Sequence, residues 1–182
     1  MRYPLIEVGL GMSFALVYLA LRDEGAGYVA LGCVFASVLA LITLTDIERR
    51  IIPNRIVALG AAAGVLLTVA IDPDALPERA IAAAAGGGAL LLIALAYPRG
   101  MGMGDVKLAA MMGIYLGSSI APALLIGFAS GSILGASLIF RHGSAGRKVA
   151  VPFGPFLALG GIVGLMVGPD IVDWYTSSFF EA

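Results

Sequence analysis

Seven runs of apolar residues, each closed off by charge, proline or glycine, take up most of this chain: 4–21, 28–45, 55–71, 80–97, 105–117, 121–140 and 153–168. Most approach the ~20 residues that a helix needs to cross a hydrocarbon core. In lipid, every backbone N–H and C=O must be satisfied inside the segment, so a single spanning run has to be a helix. Composition agrees: 60% of residues are hydrophobic, 13% are charged and the mean hydropathy is +0.99, more apolar than a water-soluble core requires. The expected fold is therefore an all-α polytopic membrane protein, a bundle of about seven transmembrane helices, or six if the short fifth run is re-entrant. That run would span only about 20 Å at the helical rise per residue, so it either extends towards Ile120 or begins in a water-filled cavity. No linker or low-complexity stretch divides the chain, and 1–182 reads as a single transmembrane domain. Arg2 ahead of the first run gives it the look of a secretory leader. No small-x-small cleavage site precedes Arg22-Asp23-Glu24, so it is read as the first helix.

The net charge of −1 carries little information, but the distribution of charge carries much. Of the 11 Lys and Arg residues, Arg2, Arg49, Arg50, Arg55, Arg99, Lys107, Arg141, Arg147 and Lys148 fall in alternate loops on one side, leaving Arg22 and Arg79 for the other. Asp23, Glu24, Asp72, Asp74, Glu78, Asp170, Asp173 and Glu181 join that second side. The positive-inside rule then predicts an N-in, C-out topology in the cytoplasmic (inner) membrane. Trp174 and Tyr175 read as an interfacial aromatic anchor. Glycines at four-residue spacing (Gly60 and Gly64; Gly127, Gly131 and Gly135; Gly160 and Gly164), with Gly86-Gly87-Gly88, are expected to let helix backbones approach closely. The lone Cys33 excludes a disulfide within the chain and a cysteine zinc site, and reads as a small buried apolar residue.

Two acids stand apart from this pattern. Asp46 closes the second run, and Asp105 opens the fifth within Gly100-Met101-Gly102-Met103-Gly104-Asp105-Val106-Lys107. Both are expected at the cytoplasmic edge of the bundle. Carboxylates in membrane segments are expensive and tend to be functional. Two of them within hydrogen-bond reach hold one proton as a unit, so one can act as general base on a water while the other donates to a scissile carbonyl. Gly102 and Gly104 allow close backbone approach beside Asp105. A structural reading competes: Asp105 as a helix N-terminal residue, Asp46 paired with Arg49 or Arg50. Spacing alone leaves both open.

Four blocks carry a resemblance that separates them. Gly102-Met103-Gly104-Asp105 matches the G-x-G-D signature of membrane aspartyl proteases, continued by Val106-Lys107-Leu108. Asp46-Ile47-Glu48-Arg49-Arg50-Ile51-Ile52-Pro53-Asn54 is similar to a second catalytic-aspartate segment, Val151-Pro152-Phe153-Gly154-Pro155-Phe156 to the start of a last helix, and Arg2-Tyr3-Pro4-Leu5-Ile6-Glu7 to the entry of a first helix. Together they resemble the type IV prepilin peptidases. The resemblance implies a membrane aspartyl endopeptidase (a hydrolase of type IV pilus and protein secretion systems) that removes the short basic leader from prepilin or pseudopilin precursors at the cytoplasmic face. Asp46 and Asp105 would be its dyad, with no cofactor and no metal, and its partners would be the precursor and membrane lipids. Long members carry paired C-x-x-C motifs ahead of the Arg-Tyr-Pro block, associated with N-methylation. This chain starts at that block with one cysteine, so peptidase activity without methyl transfer is expected.

The supporting residues follow. Glu7, one turn into the first run, either supports the site or forms a structural pair with Lys107 or an arginine. Lys107 either holds a carboxylate charged or marks the basic flank. Pro53 and Asn54 are expected to stop the loop and start the next helix, with Asn54 as its cap, so positioning Asp46. Gly154 and Pro155 read as helix-entry geometry lining the substrate path. His142, alone in a basic loop, is read as solvated; no metal-spaced ligands or Ser/His/Asp set accompany it, and that loop suits anionic lipid headgroups. Nucleic-acid binding is not expected. The competing class is a proton- or ion-coupled membrane transporter using interfacial acids, which would want acids at mid-span; a purely structural assembly subunit would tolerate loss of both aspartates.

Overall fold

The computed structural model describes residues 3–98, 100–142 and 151–180. Arg2, Arg99, Arg147, Lys148 and Glu181 lie outside them. Seven α-helices follow in order: α1 (Tyr3–Leu21), α2 (Ala26–Arg49), α3 (Asn54–Ile71), α4 (Leu76–Ala96), α5 (Met103–Leu116), α6 (Ile120–His142) and α7 (Gly154–Phe180), with short 3₁₀ turns before α4 and between α5 and α6. Five segments are long and apolar enough to cross a membrane, α5 and α6 counting as one continuous stretch, and α1 adds a shorter apolar helix. The protein is an all-α polytopic membrane protein.

The helix ends differ from the sequence expectation where tertiary contacts extend them. α2 runs on to Arg49, closed by Arg50 in the left-handed region (φ 54°), whose N–H bonds the Asp46 carbonyl at 2.8 Å. Asp46 therefore lies inside α2, one turn from its end. α4 begins at Leu76, with Pro77 in its first turn where no N–H is needed, and so takes in Glu78 and Arg79. α7 continues through Pro169 to Phe180. Pro169 has no N–H for the Leu165 carbonyl, a loss that helices in a bundle absorb through neighbours and water.

Side-chain-free surfaces set the packing. A Cβ on Gly113 would lie 2.5 Å from backbone atoms of Ala83, and one on Gly87 would lie 2.8 Å from Ala110, so α4 and α5 pack antiparallel, backbone against backbone. Gly164 stands likewise against Ala123, joining α6 to α7, while Gly60 and Gly64 receive Met111 and Tyr115 from α5. Gly88 and Gly135, expected to pack, face open space. α5 is the centre of the bundle: nine of its 14 residues are buried. Tyr115 stacks on Phe35 with ring centroids 4.7 Å apart and donates its hydroxyl to the Gly60 carbonyl at 2.6 Å.

The short helix is not re-entrant. Its N-terminal end lies with the end of α2 and the start of α3, while Gly117, just beyond its C-terminus, meets Glu78 at the start of α4. Ser118 N–H donates to Glu78 Oε1 at 2.9 Å, and the Ile114 and Tyr115 carbonyls accept from Arg79 at 3.2 and 3.4 Å. These contacts satisfy groups that a helix end leaves without partners, and they fix α5 lengthwise with Asp105 at its other end.

Candidate active site

Asp46 and Asp105 are buried, 6% and 9% exposed. They open on one cavity of about 560 Å³, which is also lined by Arg50, Ile52, Asn54, Gly102, Gly104, Lys107 and Phe153. Each is held by the start of a helix. Asp46 Oδ2 accepts the N–H of Gly154, the first residue of α7, at 2.8 Å. Asp105, in the first turn of α5, reaches back with Oδ2 to the N–H of Gly102 at 3.3 Å, the carboxylate half of a capping box. Helix N-termini favour negative charge through free N–H groups and the helix dipole. These bonds engage Oδ2 of each carboxyl and fix its orientation towards the cavity.

The structural reading of Asp105 as a helix-start residue is thus correct in geometry, and it serves to orient the group. The suggested pairing of Asp46 with Arg49 or Arg50 is absent among the described residues, where the ion pair formed is Arg22–Asp23 at the surface. Instead, Arg50 turns away from the helix axis in its left-handed conformation and lines the cavity.

The glycines around the acids are places where a side chain would not fit. A Cβ on Gly154 would lie 2.7 Å from Asp46 Oδ2, and one on Gly104 would lie 2.9 Å from Ile52 Cβ. Ile52 thereby packs the 50–53 turn onto the first turn of α5, joining the two acid-bearing segments.

Among the supporting residues, Asn54 is the first residue of α3, and Pro53 holds the cap position with φ −70° and ψ 124°. The expected Asn cap is not formed. Pro53 supplies the carbonyl that accepts from Ile56 and Val57, which frees the Asn54 amide to accept Lys107 Nζ at 2.9 Å. Among the described residues Lys107 has no carboxylate within ion-pair reach, Asp105 lying two positions away on a different side of the helix; Lys107 ties α5 to α3. Glu7 is exposed on α1 and does not line the cavity. Pro155 lines a separate apolar groove between α1, α2 and α7. The side chain of His142 and the loop 143–150 lie outside the described residues. Among the described residues, no group of three His, Cys, Asp or Glu is placed to hold a metal.

Sequence reasoning missed Arg50, Ile52 and Phe153. Arg50 and Ile52 sit in a turn whose closure depends on α5, and nothing local in sequence reveals that.

The description "Type IV leader peptidase family" matches residues 33–140. The chain belongs to that family. A protein named prepilin leader peptidase/N-methyltransferase from Aeromonas hydrophila is 30% identical over 184 residues, covering 98% of this chain and 62% of the relative. A Bacillus subtilis (strain 168) protein of the same name is 32% identical over 143 residues, 78% of this chain and 57% of its own length. One from Legionella pneumophila is 41% identical over 76 residues, 41% of this chain and 26% of the relative. The chain thus spans about three fifths of the length of the curated relatives that it matches end to end. No solved structure matches it. Asp46 and Asp105 both fall inside the matched family region.

Proposed function

We propose that this protein is a membrane-embedded aspartyl endopeptidase that cleaves the short basic leader from a type IV prepilin or pseudopilin precursor, with Asp46 and Asp105 as its catalytic dyad and 1–182 acting as one peptidase domain. One observation carries the reading: two buried carboxyls from different helices face a single cavity, and each is held through one oxygen by a helix N-terminus. The names of the relatives supply the substrate class.

The chemistry follows from the arrangement. Two carboxyls that face one cavity can work as a unit, one ionised and one protonated. The ionised member takes a proton from a water lodged between them, and the protonated member donates to the carbonyl oxygen of the scissile amide. As the tetrahedral intermediate collapses, the proton passes to the leaving amine. The N–H groups of Gly154 and Gly102 keep both carboxyls oriented throughout, so little reorganisation is needed in the transition state. Lys107 and Asn54 brace the α5–α3 mouth of the cavity, and Gly102 and Gly104 give a backbone edge along which an extended peptide can lie. The reading is confined to hydrolysis, for which residues are in place.

The acids share their end of the bundle with Arg49, Arg50, Arg55 and Lys107, and this basic character supports a cytoplasmic-facing site in the inner membrane. The test is cleavage of a prepilin-type precursor by the purified protein in detergent or nanodiscs. Wild type is expected to shorten the precursor by its leader, whereas Asp46→Asn and Asp105→Asn, each with unchanged thermal unfolding, cut at least 10³-fold more slowly. Full activity in either variant would remove the dyad assignment.

A further inference from the structure

At the end of the bundle away from the acids lies a second cavity, of about 420 Å³, between the α1–α2 turn, the start of α4, the end of α5 and the Pro169 region of α7. Two of its polar lining residues are buried, Arg79 at 9% and Ser119 at 4% exposed. Arg79 has no carboxylate within 4.0 Å among the described residues. One nitrogen, Nη1, donates to Thr68 Oγ1 and to the last carbonyls of α5, all neutral acceptors. Among the described residues, its Nε and Nη2 donors bond to no protein group, and neither does the Ser119 hydroxyl. Among the described residues no buried polar side-chain atom is sealed off without a partner, and Arg79 and Ser119 both line the cavity.

Arg79 is therefore hydrogen-bonded directly to neutral acceptors among the described residues, and its guanidinium keeps donors for an anion. The Nε–Nη2 edge of a guanidinium is a planar fork that matches two oxygens of a phosphate. The mouth has the opposite sign: Glu24 and Asp170 are exposed, line the same cavity and form no ion pair among the described residues. They would repel a bare anion but would accept hydrogen bonds from an ammonium group. Tyr28 spends its hydroxyl on Asp72 at 3.0 Å and serves as wall. Positive below and negative above fits one ligand bearing a phosphate and, a few atoms further out, an amine. Trp174 and Tyr175, about one turn beyond Asp170 and exposed, mark this end as a membrane interface, where such groups abound.

We infer that this cavity binds a phosphoethanolamine group, with its phosphate on Arg79 Nε and Nη2 and on Ser119 Oγ and its ammonium between Glu24 and Asp170. The group can come from an ethanolamine phospholipid of the bilayer or from a soluble phosphodiester.

Native mass spectrometry of the protein offered phosphatidylethanolamine, phosphatidylglycerol or phosphatidylcholine in mixed micelles tests this, beside thermal unfolding with soluble glycerophosphoethanolamine. Wild type is expected to retain one phosphatidylethanolamine about tenfold more readily than either other lipid. Ser119→Ala weakens retention about fivefold, the loss of one hydrogen bond. Glu24→Gln with Asp170→Asn, both exposed and leaving the fold intact, brings the preference over phosphatidylglycerol to unity. Arg79→Lys keeps the charge but loses the fork, and lowers retention. Retained lipid identifies the bilayer as source; stabilisation by the soluble diester without retained lipid identifies a soluble one; both support the site. Equal binding of the three lipids, a preference unmoved by the double substitution, or neither retention nor stabilisation overturns it.

Discussion

Replacing Gly154 by alanine puts a methyl group where the structure has room only for Asp46. The new Cβ would lie 2.7 Å from Asp46 Oδ2 and 3.2 Å from both its Cβ and Cγ, whereas ordinary contact begins at 3.4 Å. The carboxyl or the start of α7 must therefore retreat by about 0.7 Å. Either movement stretches or breaks the 2.8 Å bond from Gly154 N–H, which fixes one oxygen of Asp46. Misplacing a catalytic group by about 1 Å costs on the order of 10²-fold in rate, equivalent to about 2.7 kcal/mol of transition-state stabilisation. Overpacking at one site costs about 1–3 kcal/mol of stability, so the bundle stays folded. Single-turnover cleavage of a prepilin-type precursor in nanodiscs should show the chemical step slowed 30- to 100-fold with precursor affinity within threefold of wild type. Gly88→Ala is the matched control: its Cβ meets nothing within 4 Å in the middle of α4, so activity is unchanged and stability rises by up to about 1 kcal/mol. A Gly154→Ala enzyme that cleaves within threefold of wild type would show that the α7 N-terminus does not hold the reacting group.

Gly113→Val drives a side chain into backbone of Ala83, which cannot yield. It should separate α4 from α5 and lower stability by about 3 kcal/mol or more, seen as early thermal unfolding with loss of activity in proportion. Leu108→Ala empties a fully buried position on α5 and should cost about 2–5 kcal/mol in denaturant titration. Lys107→Met removes the bond to Asn54; both residues are exposed, so the unfolding temperature should hold while cleavage slows severalfold as the cavity mouth loosens. An unchanged rate would assign Lys107 to the basic flank alone.

The length and apolar character of the runs made the helices legible, because lipid leaves a spanning segment no other way to satisfy its backbone. Helix ends were less legible. Asp46 reads as the residue after a run, yet it lies within α2, because the Arg50 N–H closes the last turn on its carbonyl. Pro169 reads as a stop, yet α7 passes through it, since losing one hydrogen bond is less costly than ending a helix in the bundle. Gly86 and Gly87 could be recognised as packing residues and Gly113 was not, and which helix each meets depends on the antiparallel register of α4 and α5. Arg79 reads as a flanking charge. It is buried because α4 starts four residues earlier than its apolar run and carries the guanidinium under the end of α5.

The sequence by itself determined a membrane-spanning helical bundle, the basic and acidic ends of that bundle and the two acids set apart from the apolar runs, since each follows from local residue chemistry and the cost of burying charge in lipid. Only the tertiary structure decided that Asp46 and Asp105 share one cavity, that the α7 N-terminus holds the first and α5's own N-terminus the second, and that Arg79 donates to Thr68 and the last carbonyls of α5 at the far end. Those contacts join residues as far apart as 46 and 154. They arise from how glycine faces set the distances and registers between helices, and residues 108 positions apart in sequence carry no local trace of that juxtaposition.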